Sequence, residues 1–216
     1  MSDNKPFIDV RAVFEKKGAS IFFSHLDLSR TVARALRRSK QEIWLSEGFT
    51  PRPHLVFTPP LSLGYESEGE IMDFRLKLGK ALDKEAFINA FPDALKIKEV
   101  YFPKTKIKDI CYARYTVAFD TDKSAKEIVS LFSNPVMMLK KTKRSEQIVD
   151  ITSFIHKLSA TQKEGRVTLD TVLDLSGTST LSPSYIIDAL LQNGMKAQRV
   201  RVCRKEFLDK DFDIFK

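Results

Sequence analysis

Short runs of alternating apolar and polar residues, helix-cap signatures between them, and a β-α-β-β-α-β order met twice along the chain predict an α+β protein. The expected architecture is two tandem ferredoxin-like (βαββαβ) domains with antiparallel sheets, over residues 1–108 and 109–216, the second with an extra strand. With 216 residues, 43% of them hydrophobic and 16 of them Phe, the chain has the material for two cores.

Each element has a local reason. Ile8, Val10, Ala12 and Phe14 alternate with polar residues, so Phe7 to Glu15 reads as a strand. Lys16-Lys17-Gly18 turns the chain, and Ile21-Phe22-Phe23 leads into a helix. Ser24 is a good N-cap, and Asp27 stands where the reciprocal capping-box residue belongs. Leu28, Val32, Ala35 and Leu36 recur at helical spacing up to about Lys40 and form one apolar stripe. Leu55 to Thr58 is a short strand closed by Pro59-Pro60. Glu66 to Glu70 reads as an acidic turn, and Ile71 to Leu78 as a strand with one polar face. Asp83 caps a helix through Phe91, and Leu95 to Phe102 is a fourth strand. Lys104, Lys106 and Lys108 mark the boundary. Beyond it, Tyr112 to Asp120 is a strand and Ala125 to Phe132 a helix. Val136 to Leu139 and Gln147 to Ile155 are paired strands, and Arg166 to Leu175 is a further one. Ser182-Pro183 starts a helix that stops at Asn193-Gly194, and Lys196 to Arg204 is the last strand.

The unusual polar residues concentrate between Ser24 and Glu70. Arg30, Arg34, Arg37 and Arg38 fall opposite the apolar stripe of their helix, with no acid four residues away to neutralise them. Arginine is suited to forked contacts with phosphate or carboxylate, so this face is a candidate anion site; a solvated helix face is the plainer reading. In the following loop, Pro51 and Pro53 stiffen the segment that presents Arg52 and His54, while Phe49 reads as a core plug. His25, in the first helical turn, is a candidate general acid or base beside free helix amides. Asp27 reads as a capping residue and His156 as structural. Glu66, Glu68, Glu70 and Asp73 read as a solvated turn or as partners for the arginines rather than as a metal site. A second basic set, Arg199, Arg201, Arg204 and Lys205, alternates along the last strand, so Arg199 and Arg201 are expected on one face. Lys140, Lys141, Lys143 and Arg144 are expected nearby, and Asp209, Asp211 and Asp213 form a tail able to fold back on the patch.

Five motifs carry a family resemblance: Ser-His-Leu-Asp-x-x-Arg (24–30), Arg-Ala-Leu-Arg-Arg (34–38), Ser-x-Gly-Phe-x-Pro-x-Pro (46–53), Pro-Leu-x-Leu-Gly (60–64) and Ser-x-x-Glu (67–70). In this order and spacing they resemble the core of the radical SAM-linked proteins, also called DUF2344, a family of uncharacterised function, over about residues 7 to 110. Asn and His usually stand in that family where this chain has Thr50 and Arg52. The resemblance implies a separately encoded radical SAM protein as partner, and it points to RNA.

A formal charge of +8 favours polyanionic partners. Cys111 and Cys203 make neither a metal spacing nor a disulfide framework, and no Cys-x3-Cys-x2-Cys is present to hold a radical SAM cluster. No Walker loop, Rossmann fingerprint or nucleophile elbow occurs, so no cofactor or metal is expected. Met1 to Lys5 is polar and no apolar run approaches a membrane span, so the expectation is a soluble, cytoplasmic protein. The favoured function is a non-catalytic RNA-binding accessory protein working with a radical SAM enzyme. The alternatives are a metal-independent endoribonuclease using His25, with Arg30 or Arg34 stabilising charge on phosphorus, and a binder of an anionic small molecule or acidic partner.

Overall fold

The computed structural model describes residues 5–141, 146–177 and 179–216. They form a mixed α+β protein in which the strand pairings within each of two units are antiparallel and helices are few. The chain divides into two compact units, residues 1–108 with 216, and residues 109–215.

The first unit runs β1 (Phe7–Lys16), α1 (His25–Arg38), β2 (Leu55–Phe57), β3 (Glu66–Lys77), α2 (Lys84–Asn89) and β4 (Ile97–Tyr101). Its strands lie in the order β4-β1-β3-β2. The period of two along β1 and β3 sends Val10, Ala12 and Phe14, and Met72, Phe74 and Leu76, to one face. Leu28, Val32 and Leu36 of α1 and Phe87 of α2 belong to the same buried cluster. The Phe74 and Phe87 rings stack, with centroids 5.0 Å apart. Each α1 aliphatic contributes about 1.5–3 kcal/mol by leaving water. Truncating the fully buried Leu36 to Ala would cost about 2–5 kcal/mol, because a cavity would remain.

Opposite residues on β1 and β3 hold a buried ion pair. The register sets Arg11 across from Asp73, and the guanidinium donates to both carboxylate oxygens, at 2.7 and 2.9 Å. Burial opposes the charge on Arg11, but the hydrogen bond and charge of Asp73 outweigh it and raise its pKa above the ordinary value. Thr105 accepts two further bonds from Arg11, at 2.9 and 3.0 Å.

The second unit runs β5 (Tyr112–Asp120), α3 (Ala125–Leu131), β6 (Met137–Lys141), β7 (Glu146–Asp150), β8 (Ile155–Lys163), β9 (Arg166–Ser176), β10 (Ser179–Thr180), α4 (Ser184–Gln192) and β11 (Gln198–Leu208). The strand order is β8-β9-β5-β11, with β10 also on β9 and the β6-β7 hairpin as a separate ribbon. Glu164 and Gly165, both at positive φ, make the two-residue turn joining β8 to β9.

Three expectations are corrected. Residues 66–70 are not a turn but the first part of β3, because Ser67 and Glu70 pair with Lys16 and Phe14 in the ladder with β1. The run expected from Gln147 to Ile155 breaks at Asp150, whose side chain caps a short 3-10 turn over Ile151–Phe154, and β8 follows as a separate strand. Pro183 rather than Ser182 occupies the cap position of α4.

Candidate functional site

The start of α1 is built by a reciprocal cap. The Asp27 amide donates to Ser24 Oγ at 3.1 Å, and the Ser24 amide and hydroxyl donate back to Asp27 Oδ2 at 3.3 and 2.6 Å. The hydrogen bond from Ser24 is the main reason the Asp27 carboxyl lies below its ordinary range, and Arg30 adds to it. Downstream, Arg30, Arg34 and Arg37 are exposed, while Leu28, Val32, Ala35 and Leu36 of the same helix are buried. At 100° per residue the three arginines fall within about 60° of arc, and at 1.5 Å per residue they span roughly 10 Å. None of them makes a hydrogen bond or ion pair within the described residues. Arg38 differs, since its Nη2 donates to the Ala90 carbonyl at 2.9 Å and ties α1 to the end of α2.

Beside the N-terminus of α1 lies a cavity of about 20 Å³, room for one water-sized group. His25 lines it with Lys16, Phe57, Thr58, Leu61 and Glu70. Lys16 and Glu70 are 3% and 5% exposed, and Thr58 Oγ1 donates to Glu70 Oε2 at 3.4 Å. The His25 ring meets Phe57 edge-on, with centroids 5.4 Å apart. The cavity thus brings two buried side chains of opposite type, Lys16 and Glu70, together with the exposed imidazole of His25. Lys16 was the residue missed in sequence, and its parity was the available signal: it continues the inward series Val10, Ala12, Phe14 as Glu70 precedes Met72, Phe74, Leu76.

The loop after α1 forms a second, separate cluster. Trp44 packs on Phe7, with the Arg75 guanidinium 3.8 Å from the Phe7 ring centroid, and His54 lies 6.4 Å from Trp44. Burial, and then the charge of Arg75, push the His54 pKa below the ordinary imidazole value. No ring contact or hydrogen bond joins His54 to His25 among the described residues. Ser46 closes the loop: its amide donates to the Arg52 carbonyl at 2.9 Å, and its hydroxyl accepts from the Arg52 amide at 3.1 Å. The Arg52 side chain is exposed. Phe49 is not a core plug; it stands fully exposed at the loop tip.

The acidic residues do not serve the arginine face. Asp73 takes Arg11, Glu68 takes Lys17 at 3.5 Å, and Glu70 points inward to Thr58. No group of three or more His, Cys, Asp or Glu suited to a metal ion occurs among the described residues. In the second unit Arg199 and Arg201 do not follow simple alternation, because the ladder slips between Gln198 and Arg201, and Arg199 has φ 48°. Arg199 and Arg166 both bind Asp120; partial burial pushes that carboxyl up, and the two guanidiniums pull it below its ordinary range. Arg201 is exposed, Arg204 is buried over Phe207, and Lys140 sits 4.4 Å from the Phe154 ring. Lys143 and Arg144 lie outside the described residues. The acidic tail does not reach Arg199, since Asp209 accepts from the amides of Asp211 and Asp213 in a local turn. His156 bonds Asp174 at 2.6 Å and packs on Tyr112.

A family model described as "Uncharacterized protein conserved in bacteria (DUF2344)" matches residues 10–183. No curated protein matches the chain. Among solved structures, a chain in the "Crystal Structure of a Cbf5-Nop10-Gar1 Complex" is similar, with a TM-score of 0.51 and 11% identity over 91% of this chain. The match spans 48% of that chain's length, and at this identity the likeness concerns the fold alone. No helix among the described residues is long and apolar enough to cross a membrane.

Proposed function

The chain belongs to the bacterial family DUF2344, and from that premise we propose that it is a non-catalytic RNA-binding accessory protein, working with a separate radical SAM enzyme in RNA modification or maturation. The observation that carries this reading is the stripe of Arg30, Arg34 and Arg37, three exposed guanidiniums with no counter-charge bonded to them. Forked donors about one helical turn apart suit successive phosphates. The net charge of +8 supports a polyanion over a single small anion. The strand orders β4-β1-β3-β2 and β11-β5-β9-β8 support reading both units as ferredoxin-like, the second with the β6-β7 hairpin and β10 added. The radical SAM partner is what the family resemblance implies, and a cytoplasmic setting is proposed with it.

A second reading draws on a different observation. Lys16 and Glu70, buried beneath His25, are the kind of group that could tune a general acid or base, which supports a metal-independent endoribonuclease. The test is binding of total cellular RNA to the full chain at two salt concentrations, followed by measurement of RNA length. Salt-sensitive binding of uncut RNA supports the accessory protein. Cleavage abolished by His25→Ala establishes the nuclease instead. Absence of binding at low salt removes both and leaves an anionic small molecule or an acidic protein as ligand.

A further inference from the structure

Phe49 is the most exposed large apolar residue among those described, and its loop is built to hold it out. The base is closed by the two Ser46–Arg52 hydrogen bonds and by a bridge between Leu45 and Pro53. Below the base, Trp44 packs on Phe7, and its amide donates to the Arg75 carbonyl at 2.9 Å. Pro51 and Pro53 fix their own φ and restrict Thr50 and Arg52. Gly48, at φ 114°, supplies the backbone conformation that lets the tip reverse before Phe49. The backbone that carries the ring is already held by this frame, so engaging a partner costs little backbone entropy.

The charge exposed on the same unit selects the partner. Arg52 is exposed three residues away, and the same unit carries the unbonded arginines of α1. An exposed aromatic ring on a unit that also exposes guanidiniums is the chemistry that holds unpaired nucleobases: the ring stacks on a base while the cations take the phosphates. A paired base is already stacked on both faces and offers the ring nothing. Resting on the RNA-binding reading above, we infer that Phe49 is a base-stacking element, and that the ligand of this unit is single-stranded RNA with at least one splayed base. Arg52 then contacts the backbone next to that base.

The test compares three probes with equal numbers of phosphates: a single-stranded oligouridylate, the same oligomer made abasic, and a duplex. The full chain and its Phe49→Ala and Phe49→Trp variants are titrated against each. Because Phe49 touches nothing that holds the fold, the variants are expected to fold as the parent does, which circular dichroism checks. Stacking of one base predicts that Phe49→Ala weakens oligouridylate binding about 5- to 150-fold. It also predicts that binding to the abasic oligomer is unchanged and that Phe49→Trp retains the preference for bases. Equal oligouridylate affinity in parent and Phe49→Ala, with binding still lost on removing the α1 arginines, would overturn the stacking role and leave the RNA reading standing. Failure of the parent to bind any of the three probes would overturn both.

Discussion

Replacing Arg30, Arg34 and Arg37 together by Gln removes three charges and leaves the helix intact. Gln is a good helix former, the three side chains are exposed, and none bonds another group, so the change in stability should stay within about 0.5 kcal/mol. The effect on RNA binding is set by counterion release. Each phosphate neutralised on a single strand contributes a slope of about −0.7 to log affinity against log salt, so three arginines contribute about −2. Between 50 and 200 mM salt that difference amounts to roughly 20-fold: the parent should lose roughly 20-fold more affinity across this range than the triple variant. Fluorescence polarisation of a labelled single-stranded RNA over five or six salt concentrations reads both slopes. If the slopes coincide, the α1 stripe does not contact phosphate and the placement of the site is refuted.

Three other perturbations probe the frame. Ser24→Ala removes the acceptor of the Asp27 amide and should cost about 1 kcal/mol in urea unfolding. Because Asp27 titrates below its ordinary range in the folded protein, its contribution is complete above the unfolded pKa and lost as pH falls through the folded one. The acid limb of stability against pH should therefore be shallower in Ser24→Ala. Asp73→Ala removes the carboxylate partner of the buried Arg11 and should destabilise by about 3–5 kcal/mol, towards the lower end because Thr105 still accepts from Arg11; chemical unfolding measures it. In an NMR titration His54 should protonate below the ordinary imidazole value, and Arg75→Ala should raise its pKa by removing a like charge. The matching stability is present above the unfolded-state pKa of His54 and is lost as pH falls through its folded one.

What the sequence made legible was local. The cap of α1 needs only Ser24 and Asp27, three residues apart, and β5 over Tyr112–Asp120 follows from simple alternation. Longer-range causes were hidden. Glu66 to Glu70 has the composition of a turn, yet pairing with the far end of β1 extends β3 through it, a case of tertiary context overriding propensity. In β8 only Ile155, Leu158 and Ala160 give a weak apolar pattern, and the strand exists because β9 supplies its ladder through the tight turn at Glu164-Gly165. Within the candidate site, the arginine stripe was visible from helical spacing alone. The cavity under His25 was not, since Lys16, Thr58 and Glu70 meet only when β1, β2 and β3 assemble. The outward position of Phe49 was hidden because an apolar residue between Gly48 and two prolines further on gives no sign of which way it points, whereas the loop closure that holds it out depends on Ser46 and Arg52.

Residue-resolved arginine footprinting reads RNA contact at each guanidinium separately. The protein is labelled with an arginine-selective dicarbonyl reagent, with and without saturating single-stranded RNA, and the modified positions are read by mass spectrometry. Protection of Arg30, Arg34 and Arg37, with Arg201 still labelled, is the predicted result. Unchanged labelling of those three arginines while RNA is bound would show that the α1 stripe is not the RNA site.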